Sequence, residues 1–423
     1  MKNPGRVARA CLIIFLGAAA AAGYAQAAGF GVFTHGAYAL GQANAVTAHN
    51  LMPSAVFFNP ALISELPGTQ AEFGATLIWP QKEFSSDIPG NSTDDVEHYF
   101  LPPTLYLTQA LSDKFTLGVG LFSPFGLGTE WPQDWEGRYL ATKSEMTTFN
   151  LNPVVSWRIS PKVSLAAGVA FLWLDASLEN KLNMALLGYV GFPDGNQQFK
   201  GDGQGIGYNF GLLTKFTPRL SLGVSYRSDI KVDADGTVET QLPAGTSAVA
   251  GLFPTTTASS TIALPRQITA GLSFQASDRV MVELGFRWEE WSVFNELRID
   301  LDQPIAGQTS KVSPRDWNNT YAVNLGAQFR FNDTYSLLAG YLYETNPVPD
   351  ATLEPAIPDG DSHLFAIGLD ARYGKVRVDI SYGLQMEGDR TKRNTISAPD
   401  GSTANGTYKS RIHLAGISVS YRF

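Results

Sequence analysis

Residues 376–384, VRVDISYGL, alternate strictly between apolar side chains and small or charged ones, and this stretch decides the fold class. One face of the predicted strand carries Val376, Val378, Ile380, Tyr382 and Leu384. The other face carries Arg377, Asp379, Ser381 and Gly383. A period of two residues predicts a β-strand whose two faces meet different surroundings.

The same alternation recurs along the chain, for example in residues 280–288 (VMVELGFRW) and 335–344 (YSLLAGYLYE), with Tyr, Trp or Phe near the strand ends. A barrel in lipid needs apolar side chains outside, small or polar ones inside, and aromatic residues at both interfaces. A soluble sandwich also alternates, but it rarely exposes so many Tyr and Trp. The pattern therefore favours an all-β transmembrane barrel.

The predicted connections are of two kinds that alternate strictly. Short turns are predicted at Ser112-Asp113, Ser160-Pro161, Thr217-Pro218, Ser277-Asp278, Asn332-Asp333 and Gly374-Lys375. Long loops are predicted near 80–101, 123–143, 177–204, 236–260, 302–317, 346–361 and 388–407. If 279–301 is one strand, these connections join fourteen antiparallel strands, and such an even count is typical of bacterial outer-membrane proteins.

The N-terminus has the features of an export signal. A basic start is followed by the apolar run 10–22, which is too short to span a membrane, and by the small-residue site AQA at 25–27. We expect residues 1–27 to be a signal peptide cleaved after about Ala27. Cys11, the only cysteine, would be removed with it. The formal net charge of -8 argues against nucleic acid as a partner.

Residues 28–68 differ from the rest of the chain. They show no sustained alternation, and Glu65 is their only Asp, Glu, Lys or Arg. A mobile tail should be charged and polar, so we expect this stretch to be buried in the barrel lumen as a plug, or hatch. The predicted organisation is a signal peptide (1–27), a hatch (28–68) and a barrel (69–423).

An ordered set of motifs identifies a family resemblance. It comprises AGF (28–30), NPA (59–61), SPFGLGTEW (123–131), YRSDIKVDADG (226–236), LPRQITAGL (264–272), WEEWSVFNEL (288–297), NPVPDATLEPAIPDGD (346–361) and the terminal YRF. Together these motifs resemble the long-chain fatty acid transporter family of outer-membrane proteins, which also includes uptake channels for toluene and other aromatic hydrocarbons. The resemblance covers essentially the whole mature chain.

The resemblance implies a fourteen-stranded barrel with an N-terminal hatch and a lateral opening at a kink in the third strand. That strand is 115–126 here, where Gly118 and Gly120 give the backbone freedom for a kink and Pro124 ends its pairing. The glycines can also be explained by crowding in the lumen. The hatch motif is Asn59, Pro60 and Ala61, whose turn lies among apolar neighbours.

Several aromatic and apolar residues are candidates for substrate binding. In the second long loop they are Phe125, Leu127, Trp131 and Trp135, and in the hatch they are Phe30, Phe33, Phe57 and Phe58. An apolar surface at the outer mouth captures hydrophobic ligand by burying area at about 25 cal/mol per Å². The alternative is that the loop packs on itself and that the hatch residues only pack against the wall.

The resemblance also implies basic side chains that hold a carboxylate. This chain departs from both family positions, because Asn180 and Ser313 stand there. Lys181, Lys311 and Arg315 are close in sequence and are the remaining candidates, since charge-assisted hydrogen bonds hold carboxylates well. The departure leaves room for a neutral hydrocarbon as the substrate.

The sequence therefore predicts an outer-membrane channel of a Gram-negative bacterium for hydrophobic small molecules, with long-chain fatty acids first and aromatic or alkane hydrocarbons second. A water-filled porin and a barrel enzyme are the alternatives, and Asp361-Ser362-His363 is the only arrangement to consider for catalysis. No cofactor or metal is expected. The expected partners are the ligand, outer-membrane lipid and, through the strand ending at Phe423, the barrel assembly machinery; the protein is expected to be a monomer.

Overall fold

The computed structural model describes residues 29–423, so the predicted signal peptide and its cleavage site lie outside the described residues. All of its strands belong to one antiparallel sheet. The strands are β1 (Thr69–Ser86), β2 (Ser92–Asp94), β3 (Pro103–Ala110), β4 (Phe115–Phe122), β5 (Gly126–Glu130), β6 (Lys143–Ser160), β7 (Val163–Leu182), β8 (Gly195–Thr217), β9 (Leu220–Arg227), β10 (Ile230–Gln241), β11 (Thr256–Leu264), β12 (Gln267–Gln275), β13 (Val280–Glu289), β14 (Glu296–Ile305), β15 (Gln308–Pro314), β16 (Thr320–Arg330), β17 (Tyr335–Glu344), β18 (Ser362–Tyr373), β19 (Val376–Glu387), β20 (Arg390–Lys392) and β21 (Gly406–Arg422).

The sheet closes into a barrel of fourteen passes. β1 pairs with β21 along its whole length, from Gln70 opposite Arg422 to Ser86 opposite Gly406. Five passes contain two strands each: β4 with β5, β9 with β10, β11 with β12, β13 with β14, and β15 with β16. Closure pairs the edge strands with each other and leaves no open edge, as a β structure in lipid requires.

The predicted alternation is confirmed in β19. Ile380 and Tyr382 are exposed on the outer surface, whereas Asp379 and Ser381 are buried. The last strand has the same arrangement, with Ile417 and Tyr421 on the outer face, and Phe423 directly after it is exposed as well. Among residues 29–423, no helix is long and apolar enough to cross a membrane. The exposed apolar side chains therefore mark the lipid-facing surface.

The short turns occur where they were predicted, but several strands continue into the predicted loops. β7 continues to Leu182 and β8 begins at Gly195, inside the predicted loop 177–204. β10 continues to Gln241 inside the loop 236–260. The alternating pattern marks only the part of a strand that faces lipid, so it underestimates the length of strands that extend past the membrane.

The prediction that 279–301 is one strand is wrong. β13 ends at Glu289, residues Trp291–Val293 form a 3-10 helix, and β14 begins at Glu296. At this break Trp291 is fully buried against Phe30. The chain leaves the barrel wall because Trp291 packs inward. β14 and β15 then form a hairpin with its turn at Ala306-Gly307, inside the predicted loop 302–317.

Within residues 29–423, helical structure is confined to short pieces. The α-helices among the described residues are α1 (Ala37–Leu40) and α2 (Ala55–Phe58). Besides Trp291–Val293, the 3-10 helices are Pro60–Glu65, Met184–Leu187, Ser247–Leu252 and Asp350–Thr352. Both α-helices belong to residues 29–68, which we call the N-terminal segment. It packs against strands on several sides of the barrel, including β4, β8 and β19.

Candidate functional site

The N-terminal segment is held by buried side chains that the barrel strands point inward. The carboxylate of Glu283 accepts a hydrogen bond from the backbone nitrogen of Ala48 at 2.9 Å and is paired with His49 Nδ1 at 2.6 Å. Glu72 accepts from the backbone nitrogen of Ser54 at 2.8 Å. These buried acceptors satisfy backbone groups that no solvent reaches, so the barrel wall fixes the path of the segment.

The turn at Asn59-Pro60-Ala61 is buried, and its polar groups are satisfied. Asn59 is fully buried, and its Nδ2 donates to the backbone oxygens of Thr47 at 2.9 Å and of Leu212 at 3.0 Å. Its Oδ1 accepts from the backbone nitrogen of Ala61 at 3.1 Å, which caps the helix Pro60–Glu65. One side chain thus links two parts of the N-terminal segment to β8.

The third pass is interrupted at Ser123–Phe125, between β4 and β5. The gap is bridged by the N-terminal segment, since Val32 N donates to Pro124 O at 2.9 Å and Gly126 N donates to Phe30 O at 2.8 Å. Gly31 and Phe125 form the resulting β-bridge. The interruption therefore includes Pro124, and the N-terminal segment forms backbone hydrogen bonds across it.

Gly118 and Gly120 do not lie at this interruption. Both belong to β4 and are paired on both sides, with β3 and with β6. A Cβ on Gly118 would lie 2.9 Å from Ile63 of the N-terminal segment, and one on Gly120 would lie 3.0 Å from the ring of Tyr106. Gly118 and Gly120 therefore lie outside the interruption. Crowding by inward-facing side chains explains why these two positions of β4 carry glycine.

A large apolar cluster lies at the end of the barrel that carries the long loops, and we call it the mouth cluster. Its members are Phe30, Phe125, Leu127, Met146, Ala170, Leu172, Leu174, Ile230, Val232, Ile262, Leu264, Trp291, Phe294, Trp317, Val348, Leu353 and Ile357. Phe30 is central: its ring centroid lies 4.6 Å from that of Trp291 and 5.5 Å from those of Phe294 and Trp317. Three predicted site residues, Phe30, Phe125 and Leu127, therefore meet here.

The loop 346–361 covers this end and contacts the start of the N-terminal segment. Asp359 is buried and accepts a hydrogen bond from Gly29 N at 2.7 Å. Burial raises the pKa of Asp359 well above its usual value. Arg390 donates to the backbone oxygen of the same residue at 2.6 Å and ties it to β20. The first described residue is thus fastened to the loops.

Trp131 and Trp135 follow the alternative in which the second long loop packs on itself. Both are almost fully buried, and their rings stack with centroids 4.6 Å apart. Phe84 and Tyr408 complete this cluster, which is separate from the mouth cluster. The indole nitrogen of Trp131 donates to Pro355 O at 3.1 Å. The loop therefore packs as a local cluster, and a capture role for these two residues stays a prediction.

The basic candidates are not gathered at one point. Lys311 Nζ lies 3.3 Å from Asn180 Oδ1, so two of the stretches implied by the resemblance do meet across the mouth. Arg315 is buried and forms an ion pair with Glu354, so its charge is already compensated. Lys181 follows Asn180 in β7 and faces the other side of that strand. Lys311 is the candidate that stays exposed beside a family position.

Two adjoining cavities lie between the N-terminal segment and the wall. The first is lined by Phe33, Asn44, Phe57, Phe58, Ser225, Arg227, Gln267, Thr269, Arg287, Ala322 and Asn324. The second shares Phe33, Asn44 and Arg287 with the first. Phe33, Phe57 and Phe58 of the predicted site therefore line the first cavity.

The charged group between these cavities was not predicted as a site. The guanidinium carbon of Arg287 lies 3.4 Å from the centroid of the Phe33 ring. Arg287 also forms ion pairs with Glu289 and Glu344. The alternation in residues 280–288 predicts that Arg287 faces inward with Glu283 and Gly285, but its partner Glu344 is 57 residues away and only the closed barrel brings them together.

The arrangement considered for catalysis is not assembled. Ser362 is buried inside the barrel, whereas His363 Nδ1 lies 2.8 Å from the hydroxyl of Tyr341 on the outer surface. Successive residues of a strand face opposite sides, so this Ser and this His cannot act together. Within residues 29–423, no group of His, Cys, Asp and Glu side chains could hold a metal ion.

Comparisons with known proteins agree with this architecture. The family described as "Outer membrane protein transport protein (OMPP1/FadL/TodX)" matches residues 18–423. A long-chain fatty acid transport protein of Escherichia coli O6:H1 is 23% identical over 398 residues, covering 86% of this chain and 87% of the relative. The crystal structure of a Pseudomonas aeruginosa FadL homologue has a TM-score of 0.84 at 22% identity, covering 94% of this chain and 100% of that chain. For the P. putida toluene transporter TodX the TM-score is 0.70 at 18% identity, with 92% and 98% covered.

Proposed function

The chain belongs to the FadL/TodX family of outer-membrane transport proteins for hydrophobic compounds, and from this premise we propose that it takes up long-chain fatty acids. The observation that carries the proposal is the mouth cluster, an apolar interior that adjoins the interruption of the third pass through Phe30 and Phe125. Such an interior favours molecules that gain free energy by leaving water, at about 25 cal/mol per Å² of buried apolar surface.

The proposed path has three steps. The ligand is captured at the loops, enters the mouth cluster, and leaves through the interruption at Ser123–Phe125 into the outer leaflet when the N-terminal segment withdraws from it. The segment acts as the plug, because its backbone bridges the interruption at Val32 and Gly126. Differences in binding free energy and diffusion drive each step, so the path uses no nucleotide or metal.

Aromatic or alkane hydrocarbons are the second candidate. Asn180 and Ser313 replace the two basic side chains that the resemblance implies, and Arg315 is already paired with Glu354. A neutral ligand needs no such charge. The structural neighbour named as a toluene transporter supports the same alternative. Both candidates use the same apolar interior and differ in the head group that the protein must hold.

The direct test is to purify the protein in a mild detergent and to identify co-purifying small molecules by mass spectrometry. A fatty acid that is absent from a mock purification of another barrel supports the first candidate, and a hydrocarbon supports the second. Uptake of radiolabelled oleate and toluene by cells that carry or lack the gene then tests transport. Failure to increase either uptake would contradict the proposal.

A planar-bilayer measurement separates the proposal from a water-filled porin. If the N-terminal segment fills the lumen, the open-channel current in salt solution should be small. Deletion of residues 29–66 should give a large and steady current, provided that the truncated barrel still shows heat-modifiable migration in gels. A large current from the intact protein would contradict the plugged channel and favour a porin.

A further inference from the structure

We propose that Arg227 is the carboxylate-binding residue of the first cavity, where it holds the head group of an amphipathic anion beside the N-terminal segment. The inference rests on the proposed function and sharpens it, because a head-group site makes acids, and not neutral hydrocarbons, the preferred ligands. It places the head group deep in the barrel and away from Lys181, Lys311 and Arg315.

The main observation is a guanidinium that lines the cavity and has only neutral partners. Arg227 Nη2 donates to Phe57 O at 2.7 Å and more weakly to Val56 O at 3.4 Å, and its Nη1 donates to Asn152 Oδ1 at 3.4 Å. Among residues 29–423 no carboxylate forms an ion pair with it. A partly buried charge in this situation lacks the counter-charge that such groups normally have.

The other arginine of the cavity shows the contrast. Arg287 has two carboxylate partners, Glu289 and Glu344, and therefore carries no uncompensated positive charge. An anion that enters the cavity therefore meets uncompensated positive charge at Arg227, whereas the charge of Arg287 is compensated by its two partners. Electrostatics therefore directs a carboxylate to the Arg227 side, where a planar guanidinium can bind both of its oxygens.

The surroundings of Arg227 fit an acid with an apolar tail. Phe57 and Phe58 line the same cavity, and the guanidinium lies 4.5 Å from the centroid of the Phe57 ring. Ser225 and Thr269 also line it, and a hydroxyl side chain can donate a further hydrogen bond to a carboxylate. The residues around the cavity therefore supply a charge, two hydroxyls and an aromatic wall.

Binding at Arg227 would also act on the N-terminal segment. Phe57 is in the last turn of α2, two residues before Asn59, and its carbonyl has no partner within the helix and accepts from Arg227 instead. A carboxylate competes with this carbonyl for the guanidinium. When the carboxylate displaces the carbonyl, α2 loses its hydrogen bond to β9. The N-terminal segment is then released from the wall near Phe122, whose ring lies 5.1 Å from that of Phe57. The acid head group thus loosens the plug that blocks its own exit.

The experiment compares two ligands of equal chain length, oleate and oleyl alcohol, by isothermal titration of the purified full-length protein at neutral pH. We expect the wild-type protein to bind oleate at least about tenfold more tightly, or about 1.4 kcal/mol, since hydrogen bonds between charged groups are stronger than those between neutral ones. Arg227→Met should remove this preference and leave the affinity for the alcohol within about threefold. Arg227→Lys should keep part of the preference.

Arg158→Met is the matched control. Arg158 also donates to a backbone oxygen of the N-terminal segment, that of Ser64, but it lies outside both cavities. It should keep the preference for oleate although it loosens the segment. If Arg227→Met does not fold, as judged by heat-modifiable migration, the oleate preference of Arg227→Lys is compared with that of the wild-type protein. A preference that Arg227→Lys keeps in full would then contradict the role of the guanidinium.

The outcomes are distinguishable. Equal binding of both ligands by the wild-type protein, or an oleate preference that survives in Arg227→Met, would overturn the role of Arg227 and leave hydrophobic uptake standing. If the wild-type protein binds neither ligand, the proposed function itself fails. Loss of the preference in Arg158→Met as well would assign the effect to segment loosening and overturn the inference.

Discussion

Nδ2 of Asn59 lies 2.9 Å from the backbone oxygen of Thr47, and this contact lies directly against Gly223 of β9. A Cβ at Gly223 would overlap the carbonyl of Thr47 and approach the amide of Asn59 to 2.9 Å. The Asn59–Thr47 contact therefore packs closely against the backbone of Gly223, which leaves no room for a side chain. Any side chain at Gly223 must push the segment away from β9.

Gly223→Val should therefore raise ionic conductance while the barrel remains assembled. Overpacking typically costs about 1–3 kcal/mol, and the segment can relieve it by moving, whereas β9 is paired on both sides. Single-channel current is the measurement. Gly251→Val is the control, since no atom lies within 4 Å of the added Cβ position there. An unchanged current in Gly223→Val would mean that the segment tolerates the side chain.

Glu283→Ala should make residues around Thr47 exchange their amide hydrogens faster. The substitution leaves the buried backbone nitrogens of Thr47 and Ala48 without their acceptor, which typically costs about 1–3 kcal/mol for each buried donor. Hydrogen–deuterium exchange with mass spectrometry should show the increase in peptides that cover 43–52. Asp278→Ala, at the short turn before the same strand, should leave these peptides unchanged. Equal exchange in both variants would show that Glu283 does not hold the segment.

Much of the fold could be predicted because lipid and lumen impose opposite requirements on neighbouring residues. Ile380 and Asp379 are adjacent in sequence, yet one is 53% exposed on the outer face and the other is fully buried inside. That contrast is local and can be read from nine residues. The position of Asn59 in the interior was likewise predictable, because a polar turn among apolar neighbours must find its partners inside.

The sites were harder to predict because their members are far apart in sequence. Trp291 was interpreted as part of a continuous strand, but its inward packing on Phe30 ends β13 early. Nothing in the alternation indicates that a wall residue will turn inward. Aromatic residues in a loop were interpreted as exposed, yet Trp131 is buried by Phe84 and Tyr408, which come from opposite ends of the chain. Only the closed barrel brings such residues together.

Acidification should weaken the anchoring of loop 346–361 through Asp361. Burial alone would raise the pKa of Asp361, but the hydrogen bonds from Asn346 and Tyr343 more than offset it and hold the pKa below its usual value. A carboxyl group with a lowered folded pKa stabilises the fold above its unfolded pKa of about 3.9, and this contribution is lost as the pH falls through the lowered pKa. Above about pH 5 the contribution should be complete.

Asp361→Asn tests this dependence through the melting temperature. The variant should melt at a lower temperature than the wild-type protein at pH 7, because Asn346 loses charge-assisted hydrogen bonds of 2.9 and 2.6 Å. The difference should shrink when both proteins are measured at pH 3. Asp113→Asn, at an exposed short turn, should differ little from wild type at either pH. A difference that is constant with pH would contradict the assigned role of the carboxylate.

A reversible cross-link between Gly31 and Phe125 should block uptake if the N-terminal segment must leave the third pass. These residues face each other in an antiparallel bridge flanked by the hydrogen bonds of Val32 and Gly126, so they form a non-hydrogen-bonded pair. The Cα atoms of such pairs are only about 4.5 Å apart, within the range that disulfides accept. The only native cysteine, Cys11, lies in the predicted signal peptide, so a double cysteine variant of the mature chain should form one bond.

The variant Gly31→Cys/Phe125→Cys should transport little substrate when oxidised and recover after reduction with dithiothreitol. Each single cysteine variant controls for the loss of the Phe125 ring from the mouth cluster and for the added side chain at Gly31, and neither should respond to the reductant. The measured quantity is the initial rate of oleate uptake by cells, normalised to the amount of barrel. Full uptake by the oxidised double variant would mean that the substrate passes without opening this bridge, which would exclude an exit at Ser123–Phe125.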